Sequence, residues 1–390
     1  MIECSHRPAC PGCPRLGQGG IDPGAFAQLK ELAAESALPP PPVHEGAPLE
    51  WRRRARLAVR GRARSPKIGL FAPGSHSVVD IPRCVIHHPR INRVVAGLKQ
   101  ALRETGTPPY REEHHSGLVR YLQVVVERAN DRAQVVVICN SSSPEPFEPA
   151  AARLIEILGD SLHSLWWNGQ PERTNSILGP KWARLAGPET ACETMGGVTV
   201  HFPPGAFGQA NLDLADSLTE RVADFALAGA SPGPDSDPGN APRVADLYAG
   251  CGALGLPVLA RGAEVHFNER GEDSLRGLAL SLAGCAPEMR SRAQVHPGDA
   301  ARIPELRGLL ASCDAVIVDP PRRGLGDELV GALADAPPAR LAYVSCGLPA
   351  LLREARALIA GGRMQLTRLE AYALFPHGEH VETLALFERR

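Results

Sequence analysis

The chain has 390 residues, 44% hydrophobic and 22% charged, with a formal net charge of -1 at pH 7. That length exceeds one ordinary core and makes two domains the expectation, while the near-neutral charge excludes a globally basic nucleic-acid binder and leaves local patches open. No run of about 18 apolar residues exists, so no membrane span is expected, and the polar N-terminus carries no signal-peptide pattern, which points to the cytoplasm.

The opening MIECSHRPACPGC places Cys4, Cys10 and Cys13 in a C-x5-C-x2-C spacing. Clustered thiols in a reducing compartment indicate metal binding or catalysis rather than disulfides. Tetrahedral zinc and iron–sulfur clusters both take four protein ligands. Cys84, in VVDIPRCVIHH after a strand-like run, is the best fourth thiolate. An iron–sulfur centre is the leading reading. Structural zinc recruiting His6, His87 or His88, and free exposed thiols, stay open beside it.

Residues 51–67, WRRRARLAVRGRARSPK, put Arg54, Arg56, Arg60, Arg62 and Arg64 on even positions and apolar residues on odd ones. Period two predicts a strand with one basic face. Eight Lys or Arg and no acid lie between Trp51 and Val79, so a phosphate-contacting surface is expected over a merely solvated face. Residues 118–139 read as two strands around Asn130-Asp131. Residues 148–164 read as a helix. A β-rich stretch containing TNSILG and GGVTVHF follows, with a helix from about Leu212. Residues 229–243 have the composition of a linker.

After Arg243 strands alternate with helices: VADLYAG, EVHFNE, AQVHPGD, DAVIVDPP and LAYVSCG. That alternation predicts a doubly wound, Rossmann-like α/β domain. Gly250 and Gly252 follow its first strand and let backbone approach a ligand. Glu269, ending the second strand, suits the ribose hydroxyls, and Asp299, ending the third, suits an adenine amino group. With Asp246 before the glycines, this set of acids fits S-adenosylmethionine better than the pyrophosphate of NAD. Asp319-Pro320-Pro321 ends a further strand, but Arg322 follows where base-amino methyltransferases carry an aromatic. Cys346 sits at a strand end before a helix, a place expected to lower a thiol pKa. Glu382 lies near His377 and His380.

Along nearly its whole length the chain resembles the RNA 5-methyluridine methyltransferase family, iron–sulfur-containing enzymes that modify uracil in transfer and ribosomal RNA. FGQAN, DLYAGCG, YVSC and FPHGEHVE match four of its motifs in order. The resemblance implies cluster ligands Cys4, Cys10, Cys13 and Cys84. It implies cofactor contacts at Gln209, Tyr248, Gly250, Glu269, Asp299 and Asp319. Cys346 becomes the nucleophile that adds to carbon 6 of uracil, and Glu382 the base that removes the carbon 5 proton. The cofactors implied are S-adenosylmethionine and an iron–sulfur cluster of the 4Fe-4S type with a structural role, and the partner implied is rRNA or tRNA.

This sequence departs from the family's pattern at three places. Gly347-Leu348 replaces Asn-Pro after the nucleophile, Ala253 replaces Asn after the glycines, and LALSLAGCAP replaces an Asn-rich helix. The N-terminal RNA-binding β-barrel of many members is expected to be absent, and a monomer is expected. The domain reading is 1–200, a β-rich iron–sulfur and RNA-binding region, and 201–390, the class I methyltransferase domain. Two other functions compete: a catalytically drifted RNA-binding relative, and a methyltransferase acting on another pyrimidine.

Overall fold

A computed structural model describes residues 2–229, 241–302 and 304–390. Most of the expected linker, residues 230–240, lies outside the described residues. The first half runs α1 (Pro23–Glu35), β1 (Val43–His44), β2 (Arg54–Arg62), β3 (Ser65–Phe71), β4 (Val78–Asp80), α2 (Pro89–Thr105), β5 (Val119–Val126), β6 (Ala133–Cys139), α3 (Glu148–Leu158), β7 (Leu162–Gly169), β8 (Lys181–Ala186), β9 (Ala191–Met195), β10 (Val198–Phe202) and α4 (Leu212–Ala226). The second half runs β11 (Arg243–Leu247), α5 (Gly255–Ala260), β12 (Glu264–Glu269), α6 (Glu272–Ala283), α7 (Pro287–Arg290), β13 (Ala293–Pro297), α8 (Pro304–Ser312), β14 (Ala315–Val318), α9 (Asp327–Asp335), β15 (Arg340–Ser345), α10 (Leu348–Ala360), β16 (Met364–Tyr372) and β17 (Glu382–Arg389).

Two large sheets result. The first has order β4-β3-β2-β5-β6-β7-β8, and it is antiparallel except between β6 and β7, which α3 connects. The apolar residues α2 and α3 share with one face of this sheet form its core, including Val94, Leu98, Leu122, Val135, Leu154 and Trp167. Helix α2 starts at Pro89, whose missing N–H costs nothing at a first turn, and ends at Gly106 in the left-handed region, φ 70°.

The second sheet has order β1-β16-β17-β15-β14-β11-β12-β13. Strands β11 to β15 are parallel neighbours, and β17 runs antiparallel to β15 and β16. Helices cover both of its faces in two separate cores, as a parallel sheet requires. This is the expected Rossmann-like α/β fold. No helix among the described residues is long and apolar enough to cross a membrane.

Several expectations need correction. The second sheet and its cores draw on segments from both sides of residue 200. Helix α1 buries Leu29 and Leu32 in the core of the second sheet, and β1 extends that sheet beside β16. The hairpin β9–β10 packs Val200 and Phe202 with the second core as well. Residues 65–67 belong to β3, because the chain turns after Arg62. The helix from 148 stops at Leu158, where Gly159 takes φ 48°, and the next residues form β7. TNSILG is a loop whose carbonyls are tied down by Asn168 and Gln170 side chains. The terminal pair β16–β17 was not anticipated.

Candidate active site

A cavity of about 550 Å³ opens at the C-terminal ends of β11, β12, β14 and β15, the usual ligand position in an open parallel sheet. It is lined by Gln209, Tyr248, Gly250, Glu269, Asp299 and Asp319, and also by Cys346 and Glu382. All eight residues expected from the sequence to bind cofactor or react therefore share one space.

The cradle is set by backbone. Tyr248, Gly250 and Gly252 have φ of 61°, 58° and 91°. Tyr248 is not glycine, so its conformation costs free energy of about 1 kcal/mol or more. At Gly255 a Cβ would stand 2.5 Å from Asp246 Oδ2 and 2.5 Å from the Phe267 ring, so only glycine fits. Asp246 is fully buried, and among the described residues its carboxylate oxygens make no hydrogen bond of normal geometry, although the Gly255 amide bears on them. Burial, then the nearby Asp319, push its pKa well up. An orphaned buried carboxyl beneath a glycine loop is a ready partner for a polar ligand. Glu269 is the opposite case: it accepts from the amides of Gly250 (2.9 Å), Arg270 (2.7 Å) and Gly271 (2.6 Å), which fix its orientation. Asp299 faces Arg270 at 4.0 Å. These residues fit S-adenosylmethionine: a cavity of sufficient size, an oriented acid for the ribose and a tight backbone approach.

At the other end stand the reactive groups. Cys346 follows β15 and is half-buried; Gly347 caps α10. The expected fall in its pKa is not found. Burial raises it, the Glu382 and Asp319 carboxylates raise it further, and Arg322 opposes them. Desolvation and two acids outweigh the helix terminus here. Glu382, at the start of β17, is 2% exposed, and its Oε1 has no partner among the described residues. Burial and Asp319 push its pKa well up, again opposed by Arg322. Burial lifts Asp319 to about 7. Two carboxyls in mutual influence titrate as a pair.

The arginine face of β2 is only partly free. Arg54 Nη1 donates to the Ala206 carbonyl (2.7 Å), and its guanidinium stacks over Phe202. Arg60 donates to the carbonyls of Val59 and Arg120, and its Cζ lies 5.2–5.3 Å from the Phe71, Tyr110 and Tyr121 ring centres. Arg56 Nε donates to Oε1 of the buried Gln123 at 3.0 Å, and Arg62 and Arg64 are exposed. Packing against the 202–206 segment and an aromatic cage occupies Arg54 and Arg60.

Cys4, Cys10, Cys13 and Cys84 gather at one corner. Cys13, Cys84 and Phe375 all pack against Trp51, Ile86 and Ala210. Asn92 clamps Cys84, accepting from its N–H (3.1 Å) and donating to its carbonyl (3.0 Å). Burial, then the other three thiols, raise Cys13 to about 12. Arg52, largely buried, is the cation facing Cys13 and Cys84. His6 Nε2, His87 Nδ1 and Trp51 Nε1 are buried without partners among the described residues. Among the described residues no three His, Cys, Asp or Glu side chains converge on a single-ion site, where a tetrahedral zinc would draw thiolates to about 4 Å of one another. Four thiols, two of them facing one cation, are the donor type and number that an iron–sulfur cluster takes.

Sequence reasoning missed three members of the site. Phe207, 70% exposed, lines the cavity; its place in FGQAN was the available signal. Phe375 and Arg322 also line it, and each stands inside a motif already singled out.

No protein-family model matches the chain. An uncharacterized RNA methyltransferase of Protochlamydia amoebophila is 35% identical over 395 residues, spanning 100% of this chain and 98% of that protein. Uncharacterized RNA methyltransferases of Parasynechococcus marenigrum and Gloeobacter violaceus are 31% and 30% identical, over 87% and 90% of this chain and 70% and 74% of theirs. Among solved structures, the Pyrococcus abyssi tRNA (uracil-54, C5)-methyltransferase in complex with S-adenosyl-L-homocysteine superposes with a TM-score of 0.75 over 99% of this chain and 88% of that one. At 20% identity that likeness shows the shared fold. With curated relatives this similar along nearly the whole length, the chain belongs to their RNA methyltransferase family, the RNA 5-methyluridine methyltransferases that its motifs resemble.

Proposed function

We propose that this S-adenosylmethionine-dependent RNA methyltransferase methylates carbon 5 of a uridine in tRNA or rRNA, through a covalent adduct between Cys346 and carbon 6 of the base. The observation that carries the reading is the meeting of Cys346, Glu382 and Asp319 in the cavity that Tyr248, Gly250 and Glu269 line. A nucleophile and a raised-pKa carboxyl pair at one end of a nucleoside cradle suit addition followed by proton removal.

Bound S-adenosylmethionine supplies an electrophilic methyl group. Glu269 would hold its ribose, with Gln209, Tyr248, Gly250, Asp299 and Asp319 as further contacts. Cys346 adds to carbon 6 as the thiolate and makes carbon 5 nucleophilic. Once carbon 5 carries the methyl group, Glu382, as carboxylate, takes the carbon 5 proton, the C5–H pair re-forms the C5=C6 bond, and the thiolate leaves. Because burial raises Glu382, its carboxylate is a stronger base than an exposed one. The target base must leave its stack to enter, and the exposed Phe207 at the rim offers a ring for it to stack on. Cys4, Cys10, Cys13 and Cys84 would hold an iron–sulfur cluster with a structural role.

The test is incubation of the protein with S-adenosylmethionine and unmodified tRNA and rRNA, then nucleoside mass spectrometry, beside Cys346→Ala. A 5-methyluridine product that is absent with the variant supports the reading. No such product on either RNA, from protein with its metal content intact, refutes it.

A further inference from the structure

Cys346 stands between two cavities. One is the cofactor-sized space already described. The second, about 410 Å³, is walled by Asp22, Ala25 and Gln28 of the α1 end, Gly347 and Leu348 of the α10 end, and His380. Only two residues line both: Cys346 and Arg322. Arg322 is exposed, and its guanidinium makes no ion pair or hydrogen bond within the described residues. Its backbone is held against the nucleophile's loop, since the Arg322 carbonyl oxygen fills the space beside Gly347. The β14–α9 segment that carries it is anchored by the buried Glu354, which accepts from the amides of Leu325 (3.0 Å) and Gly326 (3.3 Å) and from the Tyr343 hydroxyl (2.6 Å). A backbone-anchored arginine with no side-chain partner among the described residues thus lines both spaces together with the thiol.

We propose that Arg322 is a further catalytic residue, which stabilises the Cys346 thiolate and then the enolate oxygen formed on the base when that thiolate adds. The inference rests on the uridine carbon-5 reading above. In the addition the sulfur lone pair forms the S–C6 bond, the C5=C6 pair moves to C4–C5, and the C4=O4 pair moves onto O4. One negative charge thus passes from sulfur to O4. The enolate pair would then form the bond from C5 to the methyl group that the sulfonium gives up, which leaves the adduct neutral; Glu382 takes the C5 proton, the C5–H pair re-forms C5=C6, and sulfur leaves as the thiolate. A guanidinium is suited to both sites, because its planar fork stays charged and offers several donors. The groups facing the thiol are Glu382 of β17, Asp319 and Arg322 of the loop after β14, and, from the second cavity, Asp22, Glu379 and His380. Among them Arg322 is the one whose field opposes burial at both Cys346 and Glu382. His380 does not take its place, since burial and Arg322 lower its own pKa.

The test uses the full-length protein with Arg322→Met and Arg322→Lys. The pH dependence of iodoacetamide alkylation at Cys346 is read by peptide mass spectrometry, and S-adenosylhomocysteine affinity by calorimetry. The midpoint of alkylation is expected to rise by about one pH unit in Arg322→Met, with Arg322→Lys in between. Methylation is expected to fall about 100-fold in Arg322→Met with S-adenosylhomocysteine affinity unchanged. An unshifted midpoint overturns the proposal, whether or not methylation falls. If the wild-type protein methylates no RNA, the uridine reading fails, while the alkylation arm still decides whether Arg322 acts on the thiol.

Discussion

A Cβ at position 347 would stand 2.3 Å from the carbonyl oxygen of Arg322. Gly347 has φ -119°, so its backbone does not demand glycine; the close approach of the Arg322 loop does. Its departure from the family's asparagine is therefore matched to this chain's own packing. Gly347→Ala is expected to push the Asp319–Arg322 segment away from Cys346. Displacements of this size near reacting groups cost on the order of 100-fold in rate. Steady-state kinetics should show that fall in kcat with little change in thermal stability, because the strain is relieved at an exposed loop.

The carboxyl pair predicts a pH dependence with a definite sign. Asp319 is raised to about 7 and Glu382 well above its ordinary value, both chiefly by burial. A carboxyl whose folded pKa is raised contributes most to stability below its unfolded pKa, and that contribution is lost as pH rises through the folded value. The window thus runs from about pH 4 to beyond neutrality. Glu382→Gln, which cannot ionise, should raise the melting temperature by roughly 2 °C or more at pH 8 and by less at pH 5. Activity has the opposite trend: the wild-type kcat/KM should climb from pH 6 to pH 9, since both Glu382 and Cys346 must be ionised and both are raised. A flat profile, with a melting temperature that does not respond to Glu382→Gln, would contradict this.

What the sequence could reveal follows from the range of the interactions involved. Strand–helix alternation after Arg243 and the positions of Cys346, Glu269 and Glu382 were legible, because period and motif spacing are local. The placement of α1 and β1 in the second sheet was not, since it depends on pairings such as Val43 with Ala371 far along the chain. The basic stripe of β2 was read correctly as one face of a strand. Period two does not say what covers a face, and the burial of Arg54 against Phe202 and Ala206 is a tertiary fact. The sign of the Cys346 shift was misjudged for the same reason: the helix terminus is visible in sequence, but the two carboxylates that outweigh it arrive from β14 and β17.

Phe207 is the large exposed aromatic of the cavity rim. Stacking an unpaired base on such a ring is worth about 1–3 kcal/mol. Phe207→Ala should raise the KM for RNA about 10-fold or more and leave S-adenosylhomocysteine affinity unchanged. Filter binding of RNA against calorimetry of the cofactor product separates the two. Equal weakening of both ligands would mean that Phe207 shapes the cavity rather than receiving the base.

The cysteine corner touches the catalytic loop directly. Phe375, two residues before His377, packs on the same Trp51, Ile86 and Ala210 cluster as Cys13 and Cys84, meeting Trp51 edge-on at 5.9 Å and His380 at 6.5 Å. Arg15 extends the same link, donating from its N–H to the His377 carbonyl (3.1 Å) and from its guanidinium to Gly378 (3.4 Å). The loop that leads into Glu382 therefore rests on the cysteine-bearing segments at one end. Cys84→Ser should lower the iron bound per chain and, through Phe375, loosen residues 375–381. Hydrogen exchange of the peptide spanning that loop should speed up at least about 10-fold, while peptides of β11 and β12 stay protected. If the loop keeps its protection in iron-depleted Cys84→Ser, the corner does not support the catalytic loop. If iron content is unchanged, Cys84 is not a ligand.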